Sequence, residues 1–124
     1  MINISPKIAR MIYAAPFAVF GVLHFMNASA LSGMVPSYIP GGIVWVYVTG
    51  LVFIGASLSI LLEKYTSIGI QALAVQLVVF ILLVHLPSLP GSLGNFLKDI
   101  ALLGGALMLL EKFPSRQKMG GEVM

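Results

Sequence analysis

The sequence predicts an all-α integral membrane protein, a bundle of four transmembrane helices with both termini cytoplasmic. Three observations lead there. The chain has 124 residues, of which 59% are hydrophobic and 9% charged, whereas a soluble domain carries about 25% charged residues to face water. Its mean hydropathy is +1.03. Its apolar residues gather in four runs of roughly 20, the length that crosses hydrocarbon as a helix. The length suits one domain. Residues 1–113 are expected to form a single four-helix transmembrane domain and residues 114–124 a short polar cytoplasmic tail.

The first run, about Ile8 to Met26, follows two basic residues and looks at first like a signal peptide. It is too long for an apolar signal core, and no small-residue cleavage site leads into a polar start, so it is taken as a span. Pro16 should kink it. Ala14, Ala18 and Gly21 share a face suited to close helix packing. The link "NASALSGMVPSYIPGG" is broken by Pro36, Pro40, Gly41 and Gly42. The second run is Ile43 to Leu62. The short link "EKYTS" then suggests that the second and third spans form a close antiparallel pair. The third run is about Ser67 to Leu86, with Gln76 near its middle as an interhelical hydrogen-bonding group. The loop "PSLPGSLGN" ends in Asn95, expected to cap the fourth run, about Phe96 to Phe113. Ala101, Gly104 and Gly105 offer that run a packing face. A histidine ends both the first and the third run, each followed by a Ser/Gly/Pro link, which hints at an internal repeat.

Direction follows from the basic residues. Lys7, Arg10, Lys64, Lys112, Arg116 and Lys118 all fall on one side, and only Lys98 on the other. That side is expected to be cytoplasmic, which for a bacterial chain means the inner membrane. The net charge of +3 therefore reads as topology and attraction to anionic lipid rather than nucleic-acid binding. The absence of cysteine removes disulfides, thiolate metal sites and thiol redox chemistry.

This topology gathers the rare ionisable groups into one layer. His24 and His85 end two outward-running helices, Lys98 and Asp99 open an inward-running one, and Asn27, Trp45 and Tyr47 lie at the same depth. Each has an ordinary explanation. Asp99 suits the first turn of a helix, Lys98 can snorkel, the aromatics form an interfacial belt, and a terminal histidine can bind a last carbonyl. Together they suggest more, because ionisable residues at membrane depth are costly and usually partnered. Asn95 and Asp99 share a face, with Lys98 alongside. His24, Asn27, His85, Asn95, Lys98 and Asp99 are therefore the candidate ligand-binding residues, for a quinone ring or a lipid headgroup. Haem between the two histidines, or a metal held by them and Asp99, ranks lower, and no metal site is assigned. No nucleophile–base–acid set and no phosphate loop is present.

The stretches "FGVLHFMN", "VP" and "NFLKDIALLGGALMLL" resemble the DoxX-like family of small four-helix membrane proteins. The resemblance runs from about Arg10 to Leu110 and carries over Gly21, His24, Asn95, Lys98 and Asp99. His85 lies outside its motifs and rests on topology alone. The resemblance implies the four-helix fold and a quinone-linked, respiratory or sulfur-redox setting. The leading expectation is thus a membrane subunit of such a system that binds quinone or a lipid headgroup at the outer mouth, with electrons supplied by a partner. One alternative is a non-enzymatic accessory subunit of a larger membrane complex, through other subunits or self-association. A small-solute transporter ranks last, since mid-membrane polar residues are few.

Overall fold

The computed structural model describes residues 4–113, and all regular structure among them is helical. The expected polar tail, 114–124, lies outside the described residues. Among the described residues, four helices are long and apolar enough to cross a membrane: Pro6–Met26, Ile43–Leu62, Thr66–Ser88 and Leu93–Leu110. They fall into two compact units, one ending at Lys64 and the other beginning at Tyr65.

In the first unit, α1 (Pro6–Met26) starts where its sequence says it should. Pro6 needs no N–H partner in the first turn, and the Ser5 hydroxyl accepts from the Lys7 N–H at 3.2 Å. Pro16 sits inside the helix. A short helix α2 (Ala28–Leu31) and a 3₁₀ turn (Ser32–Met34) follow. Gly41 and Gly42 take φ of 101° and 39°, values that side chains resist, and let the chain turn into α3 (Ile43–Leu62). Trp45 closes that turn by donating its indole N–H to the Pro40 carbonyl.

The α1–α3 pair is held by small residues and aromatics. Gly21 and Gly50 face each other. A Cβ built on Gly21 would run into Ile54 and stand 2.7 Å from the Gly50 carbonyl oxygen; one on Gly50 would stand 3.0 Å from the His24 Cβ. Below this crossing, Phe17 and Phe53 stack with ring centroids 5.7 Å apart, both buried. The Ser57 hydroxyl donates to the Ala14 carbonyl at 2.8 Å, a fully buried tie between the helices. Near the end of α3, Arg10 pairs with Glu63 at 2.6 Å.

The second span ends the first unit and the third begins the second. The short link between them turns through Glu63 and Tyr65 at φ of 56° and 54°. In the second unit α4 (Thr66–Val79) packs with α5 (Leu93–Leu110). Ile70, Leu73 and Leu77 are buried along α4, and Gln76 is buried among them. The third span is not one uniform helix. From Phe80 to His85 it widens into a π-helix, in which the Leu86 N–H reaches back five residues to the Ile81 carbonyl.

Helix α5 begins earlier than expected. Its cap is Ser92, whose carbonyl accepts from the Phe96 N–H at 2.8 Å, and Asn95 lies inside the first turn. With Leu93 as first helical residue, no acidic residue falls in that turn. Asp99 belongs to the second turn, where the helix dipole has faded, so the dipole does not explain it.

Candidate functional site

The site is built where the π-helix meets the second turn of α5. The Nε2 of His85 and Oδ2 of Asp99 are 2.8 Å apart, with side chains only 8% and 6% exposed. Lys98 stands beside the pair, its Nζ 3.9 Å from Oδ1 of Asp99 and its side chain half exposed. Asn95, one turn earlier, offers its amide oxygen to Lys98 at 3.5 Å. Four of the six residues singled out in the sequence are thus brought together, and the inner pair is buried while the outer pair is exposed.

Local sequence explains how His85 is aimed. Pro87 and Pro90 have no N–H, so they cannot donate to the helical carbonyls before them. Serine hydroxyls bind two of the carbonyls in this stretch. The Ser88 hydroxyl donates to the Val84 carbonyl at 3.0 Å, and the Ser92 hydroxyl to the carbonyl of His85 itself. The π stretch holds more residues per turn than an α-helix, so it rotates His85 away from the direction an α-helix would give it. The imidazole comes to face α5 at Asp99.

The protons can be placed. An ionised carboxylate only accepts hydrogen bonds, whereas a neutral imidazole donates through one nitrogen and accepts through the other. With Asp99 carrying its charge beside the Lys98 ammonium, the imidazole donates through Nε2–H. The second nitrogen of the ring, Nδ1, is buried and has no hydrogen-bond partner among the described residues. The pair therefore presents a carboxylate-bound imidazole with one buried ring nitrogen left over.

His24 and Asn27 belong to the first unit and are made differently. His24 is half-buried, and its Nδ1 lies 2.7 Å from the Phe20 carbonyl one turn back in the same helix. Its ring meets Phe53 edge-on, with centroids 5.1 Å apart. Asn27 caps α1, donating its side-chain amide to the Leu23 carbonyl at 3.0 Å. Gly21 has the packing role expected of it, directly beneath His24. An added Cβ on Gly104 would meet nothing within 4 Å; Gly105 is half-buried.

Two contributors escaped the sequence reading. Gly50 gives His24 its seat on α3, and its place inside an apolar run was a readable sign of close backbone approach. Ser92 anchors the His85 carbonyl; in the sequence it is only one more polar residue in a loop.

The described residues form an all-helical architecture with four membrane-length apolar helices and a buried imidazole–carboxylate pair. By its match over residues 13–89 the chain belongs to the family described as Domain of unknown function (DUF8561). That match includes both histidines and ends before Asp99. No curated protein and no solved structure matches the chain.

Proposed function

We propose that this is a multi-pass membrane protein that binds the headgroup of a quinone at the His85–Asp99 pair, as a small subunit of a quinone-linked redox system. The buried pair is the observation that carries the reading. A hydrogen-bonded ionisable pair is costly in an apolar environment, and it is weak evidence for stability, since an apolar pair of similar volume often serves as well. In membrane helices such pairs mark ligand and proton pathways.

Two further features support it. Large apolar residues are exposed along every long helix, including Ile12, Leu51, Val75 and Met108; hydrocarbon is the medium that suits such faces. A quinone is also apolar in its ring and tail and polar at two oxygens, which fits one imidazole edge set in apolar helices. The resemblance to DoxX-like proteins points the same way. On this reading Lys98 and Asn95 lie at the outer water boundary, the positively flanked ends face the cytoplasm, and a partner supplies or removes electrons.

The test is purification of the tagged chain from its native membrane in mild detergent, followed by solvent extraction and identification of co-purifying proteins. The expected result is near-stoichiometric quinone that falls sharply in the Asp99→Asn protein. Stable capture in a larger complex with no quinone would replace this reading with that of an accessory subunit.

A further inference from the structure

The proton arrangement of the dyad carries a consequence for the chemical form of the ligand, and it rests on the quinone-site reading above. We propose that the site prefers the reduced, hydroxyl-bearing form, with Nδ1 of His85 accepting a hydrogen bond from a hydroquinone hydroxyl. Two observations lead to this. Nε2 is committed to Asp99 at 2.8 Å, and Nδ1 is buried with no partner among the described residues. Because Nε2 holds the hydrogen of the neutral ring, Nδ1 has only a lone pair to offer. A hydroxyl donor satisfies that lone pair. A carbonyl oxygen meets it lone pair to lone pair, and leaves it unsatisfied in a buried place.

Asp99 sets this preference without touching the ligand. Its carboxylate keeps the ring hydrogen on Nε2, as the carboxylate partners of metal-bound histidines fix which nitrogen is bare. Lys98 stands 3.9 Å away on the other carboxylate oxygen. His24 is the internal contrast. Its Nδ1 is taken by the Phe20 carbonyl at 2.7 Å, so its free nitrogen is Nε2. The two histidines thus differ in which nitrogen bears hydrogen, and nitrogen spectroscopy separates them. Nδ1 of His85 is covered, so binding needs the segment around it to give. The residues just after it, Leu86 to Gly91, are exposed, and the hydroxyls of Ser88, within that segment, and Ser92, just past it, bind the Val84 and His85 carbonyls.

The experiment uses the full chain in lipid nanodiscs, labelled with ¹⁵N-histidine. Decylubiquinol and decylubiquinone are titrated separately under anaerobic conditions. Before addition, the His85 ring should carry hydrogen on Nε2 and not on Nδ1. Decylubiquinol should shift the His85 Nδ1 resonance, leave His24 unmoved, and bind about tenfold more tightly than decylubiquinone, the worth of one satisfied buried acceptor. A His85 ring protonated on Nδ1 alone overturns the proposal, as does a shift confined to His24. Equal or tighter binding of decylubiquinone at His85 overturns the form preference and leaves the quinone site standing. Binding of neither probe overturns both.

Discussion

Removing the carboxylate of Asp99 leaves the Nε2–H of His85 without an acceptor in a buried position, and that is expensive. Asp99→Ala should lower stability by about 3 kcal/mol, the range for breaking a buried pair from one side. Asp99→Asn should cost only about 1 kcal/mol, because the amide still pairs with Nε2 in either tautomer, by its oxygen or its N–H, while no longer fixing which ring nitrogen is bare. Reversible unfolding of the two variants in the same detergent checks the difference; equal losses would mean that the hydrogen bond is not what Asp99 contributes. Asp99 also shows what a sequence can and cannot convey. Its presence in a polar cluster was legible from the scarcity of charge around it. Its partner was not, since His85 lies outside the family-like motifs and reaches Asp99 only through the π turn. That turn is followed by two prolines and by serine hydroxyls bound to the Val84 and His85 carbonyls, loop features that apolar periodicity does not record.

At the scale of helices, glycine separates real crossings from spare space. Gly21 lies against the Gly50 carbonyl and Ile54, so Gly21→Ala should destabilise the α1–α3 pair by about 1–3 kcal/mol, as overpacking does. Gly104 has open space around it. Gly104→Ala should be neutral or stabilise by about 0.5–1 kcal/mol, since alanine is the better helix former. Thermal unfolding in detergent compares them, and a larger loss at Gly104 would contradict the packing described. The sequence placed both glycines on packing faces, because a small residue reads alike whether a neighbour is present or not. The span from Ile43 to Leu62 was legible to the residue, bounded by Gly42 and Glu63. The fourth span was misplaced by three residues, since Asn95 is as good a cap in principle as Ser92, and the loop geometry decides between them.

For the whole molecule, orientation is the first prediction. With no native cysteine, single cysteines report sidedness cleanly. Ser88→Cys should react with an impermeant thiol reagent on intact cells, and Glu111→Cys only after permeabilisation, because the basic residues flank the Glu111 end. Both positions are exposed. Reversed labelling would carry the dyad to the cytoplasmic side of the membrane. The central claim is that the His85–Asp99 pair serves a ligand rather than the fold, and one paired measurement tests it most directly. Affinity for decylubiquinone and decylubiquinol is measured in nanodiscs for the native chain and for Asp99→Asn, alongside the stability of both. The account predicts that Asp99→Asn binds the tighter probe at least about tenfold more weakly while remaining within about 1 kcal/mol in stability. Unchanged affinity together with a loss of several kcal/mol would contradict it and make the pair a structural tie between the π-helix and α5.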